Sequence, residues 1–283
     1  MKAEQLSVQM YTLRSISETD FDAALKAVAE IGYKNVELAG LQGLSPAEFR
    51  DLLSKYDLKA PSAHVPYQDF EADAEKVFND YKEIGAEWVI VPAPPLDRLL
   101  ASGEFGWADL GNLSAHELST LSGDELAAKY TLSDENIKAF TDNLTEWAKL
   151  ADEAGLRFGY HNHHFEYLFR TAAGQSMYDY MLENSPIIFE IDAFWAEVGG
   201  RNAAEVISAN PDRAKLVHLK DGSDRMPGKD VAFGEGMLPW DDIIAAADEA
   251  RCEYYVVELD NPNPADPVAD VRKAYENAMA RMS

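Results

Sequence analysis

The chain has 283 residues, and 25 Lys+Arg against 50 Asp+Glu leave a formal net charge of −25. At 47% hydrophobic, with 5 Trp, 13 Tyr and 12 Phe, it belongs to a folded globule rather than a disordered tail. Such acidity argues against partners that present phosphates, so neither nucleic acid nor an anionic membrane surface is expected to bind.

A lone cysteine, Cys252, can form neither an internal disulfide nor a thiolate metal cluster. The opening MKAEQLSVQMYTLRS has no unbroken apolar run, and no stretch reaches about 20 apolar residues. The expectation is a soluble cytoplasmic protein with no membrane span, and a homo-oligomer is compatible with it.

Short β-rich apolar runs recur along the chain, at 6–13, 34–39, 59–65, 87–93, 156–161, 187–192, 214–219 and 254–259. Amphipathic segments separate them. In 20–31, Phe21, Leu25, Val28 and Ile31 share one helical face. Ser45-Pro46 reads as a cap and first turn, and Gly32, Gly85 and Gly155 follow helical stretches. Eight strand–helix units predict an α/β fold, a single-domain (β/α)8 TIM barrel over 1–283. A doubly wound sheet is the alternative, but no Gly-x-Gly-x-x-Gly follows the first strand. A helix over 133–153, capped by Ser133, leaves 94–132 as a long loop after strand four. This loop is either a surface excursion or a lid that carries Trp107 over the barrel mouth.

In such a barrel the chemistry sits at the C-terminal strand ends. Five of the six histidines (64, 116, 161, 163, 164 and 218) fall there, all but His116. Neutral imidazoles serve as metal ligands or acid–base groups. Glu166, Asp192, His218 and Glu258 follow four successive strand ends and form an oxygen-rich set with one nitrogen. That set suits one divalent ion, Mn2+ first, with Mg2+, Co2+ or Zn2+ as alternatives. Taken singly, Asp192 would read as a helix cap and His218 as a buried, hydrogen-bonded histidine. It is their joint occurrence that points to metal. On strand five, His161 or His163 is close enough in sequence to stand in for Glu166. Glu190 shares the parity of Asp192, so it enters the upper barrel and needs a partner there, either the metal site or Lys220.

GYHNHHFEY, FEIDAFW, VHLKDG and VVELD, in this order, resemble the sugar phosphate isomerase/epimerase family of xylose-isomerase-like barrels. KNVELAG (34–40) and GEG (234–236) before Leu238-Pro239-Trp240 are similar too. The resemblance covers nearly the whole chain. It implies a divalent metal held at Glu166, Asp192, His218 and Glu258, and a carbohydrate substrate. Ketose 3-epimerases of the family carry a His where this chain has Trp195, and they place the strand-five Glu earlier. The His-rich strand five is therefore closer to the branch that handles inososes and keto-sugars.

The chemistry expected is removal of a proton next to a ketone. Glu258 is the first candidate base, His163 the second acid–base group, and Lys220 the holder of an oxyanion or hydroxyl. His64, His161, Trp107 and Trp195 are expected to contact substrate, with Phe194 and Tyr11 either beside them or part of the barrel-mouth core. The expected reaction is isomerisation or epimerisation of a keto-sugar, ketose or inosose. Dehydration is the runner-up, and a non-catalytic sugar-binding barrel or a metal-dependent nuclease stands further off.

Overall fold

The computed structural model describes residues 1–102, 109–110 and 113–282. Its centre is a closed barrel of parallel strands: β1 (Leu6–Gln9), β2 (Asn35–Ala39), β3 (Lys59–His64), β4 (Trp88–Val91), β5 (Arg157–His161), β6 (Ile188–Asp192), β7 (Ala214–Leu219) and β8 (Tyr254–Val257). Each strand pairs with its neighbours in sequence, and β1 closes on β8 with Ser7 opposite Val256. This is the (β/α)8 architecture that the strand periodicity predicts.

The helices follow from their caps. Asp20 accepts a hydrogen bond from the Ala23 amide and opens Phe21–Ile31. Ser45 and Glu48 form a reciprocal capping box at Pro46–Lys55, and Ser133 caps Asp134–Ala154. The first strand is shorter than its apolar run. The Gln9 side chain accepts from the Tyr11 amide, and Met10–Leu13 turn into a 3-10 helix. After Val91, Pro92, Pro94 and Pro95 end β4, because proline cannot donate to the ladder. Among the described residues, the segment beyond holds the short helices Leu96–Leu99, Ala115–Leu118 and Gly123–Tyr130. Trp107 lies outside the described residues.

The barrel interior has two layers. At the bottom, Trp88, Ile90 and Leu216 pack together with Ile188 and Tyr254. Gly159 belongs to this layer. A Cβ there would lie 2.8 Å from Ile90 Cδ1 and 3.1 Å from the Ile188 carbonyl, so a side chain does not fit. Toward the C-terminal strand ends the interior becomes polar, as where Ile188 gives way to Glu190 and Leu216 to His218 two residues on, and Ser62, His64, Glu190, His218 and Glu258 are all buried. Period-two alternation thus puts the sequence's buried charges in one place, at the C-terminal end of the barrel.

Among the described residues, no helix is long and apolar enough to cross a membrane.

Candidate metal and active site

Four side chains meet at the top of the barrel. One ligand atom each from His161, Asp192, His218 and Glu258 lies within 4.8 Å of the other three. His218 Nδ1 is 2.7 Å from Glu258 Oε2, and His161 Nε2 is 4.0 Å from Asp192 Oδ2. They come from the ends of β5, β6, β7 and β8. Asp192 divides its carboxylate between two tasks. Its Oδ1 accepts from the Trp195 amide at 2.8 Å and caps the helix Ala193–Val198. Its Oδ2 receives no hydrogen bond from the described residues, although the Lys220 ammonium lies 3.2 Å away. A buried carboxylate oxygen left without a hydrogen bond is suited to a cation.

Strand five differs from the Glu166 expectation. Glu166 sits on the one-turn helix Phe165–Leu168 that follows β5. The turn curls its carboxylate to Tyr160 OH at 2.6 Å and to the His163 amide at 2.8 Å. Glu166 is not among the four convergent residues, and His161 takes its place. Burial pushes the Glu166 carboxyl up to about 8, with Tyr160 and the local backbone amides opposing the shift. Two imidazoles and two carboxylates therefore face one point, a donor set that fits a divalent ion such as Mn2+, Co2+ or Zn2+ better than Mg2+.

Lys220 is buried beside this cluster. Its ammonium lies 2.7 Å from Asp260, 3.0 Å from Glu258 and 3.2 Å from Asp192. Burial opposes its charge, but these three carboxylates hold its pKa well above the ordinary lysine value. Burial likewise opposes ionisation of Glu258, and Lys220 and His218 overcome it and hold Glu258 well below the carboxylate range. Burial raises Asp192 to about 6 against the pull of Lys220. His161 is lowered to about 3 and His163 well below the ordinary histidine value, both mainly by burial, so both are neutral imidazoles at pH 7.

Above the cluster is a cavity of about 700 Å³. His64, His161, His163, Trp195 and Glu258 line it, with Tyr11 and Arg14 at the rim. Trp195 stacks over Lys220 at 5.2 Å, and its indole N–H has no acceptor among the described residues. Phe194 is fully buried and packs on Gly222, where an added Cβ would fall 2.1 Å from the ring. It belongs to the core rather than to the cavity wall. Tyr11 is 45% exposed and holds the Arg14 guanidinium over its ring at 4.2 Å. From the long segment after β4, Pro92, Ala93 and Leu110 reach the cavity.

Two residues to which the sequence assigns no role also shape the site. Glu37, in the middle of β2, lies beneath the cluster, fully buried and within 2.9 Å of His218 Nε2. Asp221 anchors the loop after β7. It accepts hydrogen bonds from the amides of Gly222, Gly234, Gly236 and Leu238 and from the Trp240 indole, and so fixes the GEG turn beside the site. The parity of Glu37 with inward-facing Asn35 was the available signal for the first. The second had none in local spacing.

Residues 101–281 match the family model of the xylose isomerase-like TIM barrel. An inosose dehydratase of Clostridium perfringens is 23% identical over an alignment spanning 91% of this chain and 88% of that protein. The structure of a sugar phosphate isomerase/epimerase from Parabacteroides distasonis superposes with a TM-score of 0.76 at 19% identity, over 99% of this chain and 95% of that one. An IOLI protein with a bound zinc atom superposes with a TM-score of 0.67 at 14% identity, over 98% of this chain and 97% of that one. With the closed barrel and its polar C-terminal layer already in place, the family match settles the classification: the chain belongs to the xylose isomerase-like TIM barrel family.

Proposed function

We propose that this protein is a divalent-metal enzyme that removes the proton next to the ketone of a keto-sugar or inosose, and that loss of the β-hydroxyl as water completes the reaction. The observation that carries the proposal is the convergence of His161, Asp192, His218 and Glu258 on one point at the floor of the cavity. These four residues would hold the ion, which when bound would supply the positive charge that makes an α C–H acidic.

The protein groups divide the remaining work. Glu258 is ionised at neutral pH and opens onto the cavity, so it can accept the α-proton. Lys220 keeps a cation beside the oxygens that gain negative charge. Once the α C–H pair has moved into the enolate, where the proton goes decides the product. Delivered to the β-hydroxyl as its C–O bond breaks, it leaves as water and the substrate is dehydrated. Returned to carbon by Glu258 or by His163 on the other wall, it gives isomerisation or epimerisation. The similarity to inosose dehydratase over 91% of this chain favours dehydration. Trp195, with its unaccepted N–H, and His64 would contact substrate hydroxyls. Pro92, Ala93 and Leu110, which follow β4 and line the cavity, would help cover its mouth.

The test is product analysis by NMR after incubating the Mn2+- or Co2+-loaded protein with inososes and 3-keto-glycosides. Loss of one water per turnover supports dehydration. Recovery of a stereoisomer or positional isomer would replace dehydration with the isomerase reading. No turnover of any ketone would contradict both.

A further inference from the structure

A layer of buried carboxylates lies directly beneath the proposed metal ligands, and the reaction does not use it. Glu37 and Glu190 are both fully buried. Glu190 Oε2 is 3.1 Å from His161 Nδ1 and 3.1 Å from His218 Nε2. Glu37 Oε1 is 2.9 Å from His218 Nε2. His64 Nε2 bridges the two carboxylates, 2.6 Å from Glu190 and 3.1 Å from Glu37. Gln9 Nε2 and Ser62 Oγ donate to Glu37 at 2.8 and 2.6 Å and fix its rotamer. Each imidazole of the pair is therefore gripped from below by one ring nitrogen, while the other nitrogen turns upward to Asp192 or Glu258.

The strand pairing is irregular at the same level. The β2–β3 register shifts between Asn35 and Glu37, and the β6–β7 register shifts between Phe189 and Glu190. Such bulges re-aim individual side chains, and here they accompany the two carboxylates. Two acids in the floor of a barrel are costly to bury unless they have donors, and the three imidazoles supply them.

We infer that Glu37 and Glu190 are positioning residues for the metal centre, holding His218 with its proton on Nε2 and His161 with its proton on Nδ1, so that Nδ1 of His218 and Nε2 of His161 face the ion. The inference rests on the metal reading of the cluster. A histidine ligand has one nitrogen for the metal and needs an acceptor for the other, which fixes tautomer and ring orientation. The alternative is that His64, His161, Glu190 and His218 hold a second ion of their own, since their atoms also lie within 4.8 Å of one another. That would require His161 and His218 to bridge two ions, each without either ring proton.

The test uses the full chain and Co2+ as probe. Apoprotein is titrated with Co2+, with the visible spectrum and the metal content per chain as readouts. The native chain should take up one Co2+. Glu190→Met and Glu37→Met should each weaken uptake by about 10- to 100-fold and alter the visible spectrum, the scale for lost support of a ligand. Glu190→Gln, which keeps an acceptor oxygen, should recover part of the affinity. Histidine-labelled native protein loaded with Zn2+ should show His218 protonated at Nε2 and His161 at Nδ1 by NMR, a readout that does not depend on the variants folding. Equal Co2+ affinity in native and Met variants, or the opposite tautomers, overturns the inference and leaves the metal reading standing. Two Co2+ per native chain, one of them lost in Glu190→Met, makes the lower layer a metal site instead. No Co2+ uptake by the native chain overturns the metal reading and this inference with it.

Discussion

His161 Nε2 lies 4.0 Å from Asp192 Oδ2, too far for a hydrogen bond, and no donor among the described residues is hydrogen-bonded to that oxygen. Coordination bonds of about 2.0–2.2 Å from each atom span such a gap. His161→Ala and His218→Ala should therefore each abolish tight metal binding, whereas Glu166→Gln should keep one ion per chain after dialysis. Elemental analysis of the dialysed variants decides it. Metal lost from Glu166→Gln and kept in His161→Ala would return the strand-five ligand to Glu166.

Glu166 makes a separate prediction about stability. Burial favours the neutral acid and pushes its folded pKa up to about 8 from the ordinary 4.5. Below both values the folded and unfolded chains carry the proton alike. Between them the folded chain keeps a proton that the unfolded chain has released. Stability from this group is thus full at low pH and falls as pH rises, by about 1.4 kcal/mol per pH unit for one proton, and is flat again above the folded value. Glu166→Gln mimics the neutral acid and should remove this dependence. In urea melts of the apoprotein from pH 5 to 9, the variant's advantage over the native chain should grow with pH. A constant difference would show that Glu166 is ionised in the folded protein.

Cys252 should be inert in the native protein. It is buried, its Sγ contacts the Ala214 carbonyl oxygen at 3.2 Å, and burial pushes the thiol up to about 12. Thiolate is the reactive form, so a disulfide reagent at pH 8 should modify no thiol in the native chain and one in denaturant. Rapid modification under native conditions would contradict the packing around β7 and β8.

Glu258→Gln separates metal binding from proton transfer only in part, because an amide oxygen can still face an ion but cannot accept a proton. Turnover should fall by about 10²-fold or more, the scale for a lost general base, with some metal retained. His163→Ala should lower turnover and leave metal content unchanged. Full activity in Glu258→Gln would move the base to His163.

The barrel was legible because eight apolar strand runs alternate with amphipathic helical segments, some of them opened by a capping residue such as Ser45 or Ser133. Asp192, His218 and Glu258 were legible because each ends a strand with inward parity. Glu166 against His161 was not. The two differ by five positions, and the choice depends on where β5 stops and a single helical turn begins, a boundary that spacing does not fix. The sequence places Glu190 in the upper barrel and His64 at a strand end, but their grouping with Glu37 was hidden for another reason. Its members come from β2, β3 and β6, and only closure of the barrel places β2 and β3 across from β6 and β7. Asp192 shows that a helix cap and an inward-facing carboxylate are compatible readings, since Oδ1 caps the helix and Oδ2 faces Lys220.

The central claim is that the site acidifies a C–H next to a ketone, and solvent exchange at that carbon tests it most directly. The metal-loaded protein is incubated in D2O with an inosose or a keto-sugar, and the α-position is followed by NMR. The account predicts deuterium at the α-carbon or loss of its proton into product, dependent on added metal and reduced about 10²-fold in Glu258→Gln. Metal-loaded native protein that leaves the α-proton of every ketone offered untouched would contradict it.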